Sequence, residues 1–221
     1  MALAFKLNEK FFIRDPQETE LGRKIIQHGI ELIDRLGFEQ FTFRKLAEEI
    51  GSAEASLYRY FENKHRLLTY LAAWYWSWTE YRMDLLTHPT QLADEKLRWC
   101  LRVLTEKKKN DQAFGFVDEE ALYRIIIKEQ DKTWLTKWVD DDNRSGFFRG
   151  YKSICKKMAE LIRECNPAYP YPSSLVSTVM MTSLHQMFYA EHLPSLSDLH
   201  KDDHEQLYTF VENLVFSTLR K

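Results

Sequence analysis

Apolar residues recur every three or four positions along most of this chain, a spacing that places them on one face of an α-helix. The first clear run predicts a helix that ends at Gly37, and its apolar residues are Ile25, Ile26, Ile30, Ile33 and Leu36. Asp15 followed by Pro16 is one signal for the start of this helix, and Thr19 is a rival cap. Residues 1–15 precede it as an arm whose own apolar residues favour packing.

The same spacing predicts a long helix from about residue 64 to 87 and further helices in the rest of the chain. These further helices are predicted at about 92–109, 118–129, 131–141, 146–165, 173–193 and 203–220. Three prolines between residues 166 and 172 predict a loop. Glycine and proline number only 7 and 6 in 221 residues, which favours helices with short connections. The chain is therefore predicted to be all-α.

Two short helices are predicted between residues 42 and 63, and the turn between them has a mechanical logic. Leu46, Ala47 and Ile50 share one face of the first helix, and the small Ala47 lets a second helix cross closely. Gly51 stands where the chain must turn and where glycine costs least. Leu57 and either Tyr60 or Phe61 are expected to face inward from the second helix. This layout predicts a helix-turn-helix, which places one short helix in the major groove of DNA.

The run from Thr42 to Lys64 also closely resembles the DNA-binding end of TetR-family transcriptional repressors. A hydroxyl residue opens the second helix of that family, a Leu-Tyr pair and an aromatic lie at the third, and a lysine opens the fourth. The matching residues here are Thr42, Leu57, Tyr58, Phe61 and Lys64. Two residues depart from the pattern, since Ser52 stands where an apolar residue is usual and Ala53 replaces the common serine cap. The resemblance is specific over about residues 19–70 and only architectural beyond.

The resemblance implies two domains: an N-terminal arm with a three-helix DNA-binding domain in residues 1–64, and a larger helical effector-binding and dimerisation domain in residues 65–221. It also implies a homodimer, and repression of transcription. The predicted DNA-binding residues are Thr42, Arg44, Lys45, Ala53, Glu54, Ser56, Tyr58, Arg59 and Lys64. Within this set, Arg44 is expected to contact phosphate or guanine, and Thr42 and Lys64 are expected to anchor phosphates. Glu54 either accepts a hydrogen bond from the amino group of cytosine or turns aside.

The charge of the chain limits how strongly it can bind DNA without sequence specificity. The formal net charge is −2, and the first 70 residues carry equal numbers of basic and acidic residues. Phosphate binding needs local positive charge rather than a basic total, so weak binding outside a specific site is expected. Lys6, Lys10 and Arg14 leave insertion of the arm into a minor groove as the alternative to its packing.

The C-terminal part carries two predicted surfaces. Trp74, Trp78 and Tyr81 share a helix face and predict one wall of a pocket for a small hydrophobic effector. The full predicted ligand-binding set is Trp74, Trp78, Tyr81, Met158, Met181, Leu184, His185 and Phe188. Apolar residues on the last two helices predict a four-helix interface between two copies. The predicted interface residues are Val176, Val179, Ser183, Met187, Ala190, Leu207, Phe210, Val211, Leu214 and Thr218.

The sequence lacks the motifs that would indicate other classes of function. No Gly-rich phosphate loop and no G-x-S-x-G, H-E-x-x-H or C-x-x-C motif occurs, so an enzyme, a cofactor and a metal site are not expected. No run approaches the length of a membrane span, and the N-terminus lacks the apolar core of a signal peptide, so no membrane partner and a cytoplasmic location are expected. Two alternatives to the ligand-responsive repressor remain: an effector-free DNA-binding dimer and, more remotely, an all-α enzyme with an apolar pocket.

Overall fold

The structure is a computed structural model that describes residues 5–111 and 115–220. Within these ranges the regular elements are α-helices and short 3-10 turns, without a strand, so the predicted all-α class is confirmed. Residues 1–4 of the predicted arm lie outside the described ranges. The helices are α1 (Glu20–Leu36), α2 (Phe43–Ile50), α3 (Glu54–Leu57), α4 (Lys64–Leu86), α5 (Ala93–Thr105), α6 (Glu119–Glu129), α7 (Asp131–Trp134), α8 (Val139–Arg144), α9 (Arg149–Cys165), α10 (Pro172–His192) and α11 (His204–Leu219).

The helices form two compact units. The first comprises Met1–Tyr75 and Lys108–Arg149, and the second comprises Trp76–Lys107 and Gly150–Lys221. The division at residue 64 predicted from the sequence is one of function, and it stays a prediction. By packing, the first half of α4 and the helices α6 to α8 belong to the same unit as the two short helices.

Helix α1 forms the centre of the first unit. Ile25, Ile26, Ile30 and Ile33 are fully buried on the face that packs against α2 and α6. Both proposed start signals are used, because Asp15 caps a 3-10 turn at Pro16–Glu18 and Thr19 caps α1 itself. Such burial of aliphatic side chains is the main source of stability for this kind of helical layer.

The described part of the arm packs against the first unit. Phe11 is buried and stacks on Phe147 with ring centroids 4.4 Å apart. The backbone N–H of Ile13 donates to the carbonyl of Tyr60 at 2.8 Å, and the side chain of Asn8 donates to the carbonyl of Ser145. For residues 5–15 the structure therefore favours packing over an extended arm.

One predicted helix is divided. The expected helix at 131–141 is broken between α7 and α8, where Leu135 leaves the helical region with ψ of 57°. The Thr136 hydroxyl accepts a hydrogen bond from the N–H of Trp138 at 3.3 Å. A local bond of this kind offers the backbone an alternative to continuing the helix. The sequence pattern did not show this break because the apolar spacing continues across it.

The second unit is a bundle of the C-terminal half of α4 with α5, α9, α10 and α11. Helix α11 packs against α5 and α10, and it buries Leu207, Val211 and Val215. Arg102 of α5 forms an ion pair with Glu205 at 2.6 Å and lies over the Tyr208 ring at 3.7 Å. Among the residues that the structure describes, no helix has both the length and the apolar character needed to cross a bilayer.

Candidate nucleic-acid interface

The first turn of α2 directs its polar and apolar residues to opposite sides. Thr42 caps the helix, its hydroxyl accepting from the N–H of Lys45 at 3.2 Å. A threonine cap satisfies one of the N–H groups that every helix start leaves without a partner. With the helix start fixed here, Phe43 is buried while Arg44 and Lys45 are exposed. The two cations therefore lie on the outer face of the motif.

The turn between α2 and α3 requires glycine for its backbone. Gly51 adopts the left-handed conformation, with φ of 65° and ψ of 39°. A Cβ atom added there would meet no other atom within 4 Å, so backbone strain alone disfavours other residues. The N–H of Ser52 donates to the Ala47 carbonyl at 2.9 Å and closes the turn. Ser52 thus stabilises the turn through its backbone N–H, although it lacks the apolar side chain that is usual at this position in the family pattern.

Helix α3 is short, and buried residues attach it to the core of the first unit. Leu57 is fully buried, and Tyr60 and Phe61 are buried as well. The sequence pattern predicted that one of these two aromatic residues would face inward, and in the structure both do. Ala53 begins the helix without a side-chain cap, as its residue type dictates. Glu54 and Arg59 remain exposed on the other side.

Tyr58 connects the outer faces of the two helices. Its ring lies edge-on against Phe43 with centroids 5.1 Å apart, so it touches the first turn of α2. Its hydroxyl donates to Oε1 of Glu54 at 3.3 Å, and burial followed by the Glu54 charge raises the pKa of the phenol. The contact places Tyr58, Glu54 and the exposed cations of α2 on one continuous surface.

Lys64 has a structural task inside the first unit. Its ammonium donates to the carbonyls of Phe38, Glu39 and Phe41 at 2.9, 3.2 and 3.1 Å. It also lies 4.7 Å from the centre of the Phe38 ring. An ammonium has three N–H donors, so this arrangement uses all of them. The predicted phosphate contact therefore requires Lys64 to leave these carbonyls.

The same turn between α1 and α2 is held from a distant part of the chain. The buried carboxylate of Glu129 accepts from the N–H of Phe38 at 3.0 Å. Lys132 binds both Glu129 and Glu39, each at 2.7 Å. These residues lie about ninety positions away in sequence, and no local pattern indicates the contact. The sequence reasoning missed them for this reason.

The positive charge of the surface is partly balanced by neighbouring carboxylates. Arg44 pairs with Glu48 at 3.1 Å, and both side chains are largely exposed. Exposed pairs of this kind contribute little energy and exchange easily for another anion. Arg59 is exposed and has no ion pair within the described ranges. Arg44 and Arg59 are therefore available to phosphate or to a base edge.

The structure divides the predicted effector residues. Trp74 belongs to the first unit, where its ring packs edge-on against Phe5 with centroids 5.2 Å apart. The remaining members belong to the second unit, where Trp78, Met158 and Leu184 are buried. The partly exposed members are Tyr81, Met181, His185 and Phe188. The predicted set does not form one wall within a single unit.

The residues predicted to form the dimer interface differ in their exposure within the single chain. Most of its members are buried within the chain itself and have no surface to offer a second copy. These buried residues are Val176, Val179, Ser183, Met187, Ala190, Leu207 and Val211. Their helical spacing is that of an inward face, which apolar periodicity alone cannot distinguish from an interface. Phe210, at 41% exposure, and the partly exposed Leu214 and Thr218 remain outward candidates.

The geometry of the described residues defines a class of protein: helical, with a helix-turn-helix near the N-terminal end and a second helical unit. Residues 25–71 match the family model described as bacterial regulatory proteins, tetR family. Within these residues, which hold the helix-turn-helix, the chain is similar to the DNA-binding segment of this family of transcriptional regulators. No curated protein is similar enough in sequence to count as a relative.

Solved structures of this fold extend over most of the chain. The crystal structure of AibR in complex with isovaleryl coenzyme A and operator DNA is 18% identical, with 88% of this chain and 98% of that chain covered and a TM-score of 0.59. A putative transcriptional regulator of the TetR/AcrR family is 21% identical, with 89% and 100% covered and a TM-score of 0.57. The ketosteroid transcriptional regulator KstR2 of Mycobacterium tuberculosis is 13% identical, with 92% and 98% covered and a TM-score of 0.58. At these identities the likeness is one of fold.

Proposed function

We propose that this protein is a homodimeric repressor that binds a palindromic operator in the cytoplasm and is released from it by a small hydrophobic effector. The observation that carries the proposal is the outer surface of α2 and α3. A buried core of Leu46, Leu57 and Phe61 fixes both helices, while Arg44 and Arg59 are exposed. This arrangement suits insertion of α3 into a major groove, with the first turn of α2 near the backbone.

Dimerisation is proposed because one motif reads too few base pairs for specificity in a genome. A two-fold dimer on a palindrome doubles the sequence that is read. The revised face for this contact lies on the outer sides of α10 and α11 in the second unit. Met181, His185 and Phe188 follow each other at helical spacing on α10 and are partly exposed, and Phe210 is exposed on α11. Two such helices per copy would form a four-helix interface.

The effector is proposed to be hydrophobic because the core of the second unit contains large apolar side chains. Trp78, Met158 and Leu184 are buried in it, and methionine adapts to ligands of different shape. AibR was crystallised in complex with isovaleryl coenzyme A and operator DNA, so a protein of similar fold binds both a small molecule and DNA. Coupling of about 1–3 kcal/mol between effector and operator is typical of such systems.

Selection of bound sequences from random double-stranded DNA tests the proposal directly. The expected result is one palindromic or nearly palindromic sequence. Arg44→Ala should cost about 1–3 kcal/mol and relax the preference at one position per half-site if Arg44 reads a base. Arg44→Lys is the matched control, because it keeps the charge but cannot bind guanine through two parallel bonds. Failure to enrich any sequence at moderate salt would contradict DNA-binding specificity.

The effector is tested by a separate screen. Hydrophobic compounds that quench tryptophan fluorescence in the parent protein but less in Trp78→Phe would be assigned to the second unit. They are expected to lower affinity for the selected operator, and the operator should weaken their binding by the same factor. Compounds that bind without changing operator affinity would favour the effector-free alternative.

A further inference from the structure

A cleft of about 570 Å³ opens in the first unit between the start of α4 and the segment that joins α7 to α8. Its main lining residues are Glu62, His65, Arg66, Lys137, Trp138 and Asp142. No predicted DNA-binding or effector residue lines it. A volume of this size holds a small organic molecule, and the mixture of one large aromatic with several polar groups is typical of ligand sites.

The floor of the cleft contains a carboxylate that is only half satisfied. Asp142 is 2% exposed, and its Oδ1 accepts from Nη1 of Arg66 at 2.7 Å. Its Oδ2 is buried and has no hydrogen-bond partner among the residues described. A buried charged oxygen without a donor is costly, and each such atom in a folded protein calls for an explanation. A donor brought by a ligand would supply the missing bond.

A second polar atom of a residue that lines the cleft is also buried without a hydrogen-bond partner. Nε2 of His65 is buried without a partner within the described ranges. Burial lowers the pKa of His65, and the opposing effect of Asp142 is smaller, so the neutral ring is favoured. The neutral tautomer with its proton on Nδ1 accepts a hydrogen bond at Nε2, and this is the tautomer that a donating ligand would select. Together, Asp142 and His65 offer acceptors to a molecule that carries more than one N–H donor.

The charge balance of the cleft favours a cation over an anion. Arg66 is already matched by Asp142 and, at 3.9 Å, by Glu62. An anion would have to displace Asp142 from Arg66 and would also face the carboxylates of Glu62 and Asp141. A cation meets the unused oxygen of Asp142 without breaking an existing ion pair, and the three carboxylates of the cleft outnumber its two cations, Arg66 and Lys137. A ligand that stacks on Trp138 takes the place of the Lys137 ammonium. The cost of separating a buried pair therefore weighs against phosphate or carboxylate ligands.

The indole of Trp138 supplies an aromatic surface for such a ligand. Trp138 is 55% exposed, and the ammonium of Lys137 lies 4.5 Å from the centre of one of its rings. A cation over an indole is attracted by the negative face of the ring, and tryptophan is the strongest of the aromatic residues in this respect. We propose that this cleft is a second ligand site, for a small flat monocation of the aryl amidine or aryl amine class that stacks on Trp138 and donates to Asp142 and His65.

Three isosteric probes test the chemistry: benzamidinium, neutral benzamide and anionic benzoate. Isothermal titration calorimetry on the full chain without DNA should show saturable one-to-one binding of benzamidinium. The expected affinity is about tenfold or more above that of either control, since a charge-assisted bond and the cation–aromatic contact are both lost in benzamide. Because no DNA is present, the outcome is independent of the proposed repressor function.

Two variants locate the binding. Trp138→Ala removes an exposed ring and should weaken benzamidinium binding about fivefold or more without affecting the fold. Asp142→Asn should abolish the preference for benzamidinium over benzamide, and its melting temperature reports whether the chain still folds. Trp99→Ala is the matched control, because Trp99 is 42% exposed and lies in the second unit. Equal binding of the three probes, no saturable binding, or undiminished binding to Trp138→Ala would overturn the proposal and leave water as the occupant of the floor.

Discussion

Replacing Lys64 with methionine separates two tasks that one lysine can perform. Methionine keeps an unbranched side chain of similar length but has no ammonium. The change therefore removes the three hydrogen bonds to the carbonyls of Phe38, Glu39 and Phe41. If Lys64 is mainly a phosphate anchor, the change should weaken DNA binding and leave the fold unaffected. If it mainly holds the turn between α1 and α2, the fold should lose stability.

The structure supports a loss of stability of about 2–3 kcal/mol. A hydrogen bond to a charged group contributes about 1.5–3 kcal/mol, but water replaces part of this where the acceptor is accessible. Phe38 and Phe41 are buried, whereas Glu39 is exposed, so two of the three carbonyls are expected to carry most of the loss. Lys45→Met is the matched control, since the Lys45 ammonium donates only to the exposed carbonyl of Gln40. That control should change the unfolding free energy by about 1 kcal/mol or less.

Urea unfolding gives the free energies, and the salt dependence of binding to the selected DNA gives the number of phosphate contacts. In the proposed dimer, loss of one phosphate contact per copy removes two contacts and reduces the slope of log affinity against log salt by about two. The expected result for Lys64→Met is a clear loss of stability with an unchanged salt slope. Unaltered stability together with a flatter slope would refute the structural task and restore the phosphate anchor inferred from the sequence.

Three further changes have expected outcomes. Gly22→Ala should destabilise the protein by about 1–3 kcal/mol in urea unfolding, because a Cβ atom there would lie 2.3 Å from the carbonyl oxygen of Pro16. Glu119 has its pKa raised by burial from 4.5 to about 7, so the folded state holds a proton that the unfolded state releases. Its contribution to stability is present below pH 4.5 and is lost towards pH 7, up to about 3 kcal/mol, and Glu119→Gln should remove this pH dependence. Phe210→Asp should split the proposed dimer in light scattering, whereas Val211→Asp, at a fully buried position, should unfold the chain.

Sequence reasoning predicted the elements well because the relevant signals are local. The cap of α2 is visible as Thr42, and the turn after it is visible as Gly51. Helical spacing also gave the inward residues of the motif, including Leu46 and Leu57. Each of these features depends on residues within one or two turns of one another. The fold class and the similarity of the helix-turn-helix to the tetR family could both be predicted from them.

Surfaces are harder to predict than helices, because apolar spacing shows that a helix has a buried face but not what covers it. The residues expected to join two copies, such as Val179 and Val211, are covered by their own chain. The effector residues were chosen by the same criterion, and Trp74 proved to pack on Phe5 of the arm. A partner within the chain and a partner outside it leave the same pattern in the sequence.

The contacts that hold the helix-turn-helix come from distant residues, and this changes how the motif is to be understood. Arg124 of α6 binds Asp34 of α1 through two nitrogens, at 3.0 and 2.7 Å, and Glu129 holds the backbone of Phe38. A chain cut at residue 64 would lose both contacts together with the burial of α1 against α6. Displacement of α6 would likewise weaken the turn that leads into α2, whose first turn carries Arg44. The free energy of forming the DNA-binding surface is therefore linked to the packing of α6, and any ligand or substitution that shifts this helix is expected to alter operator affinity.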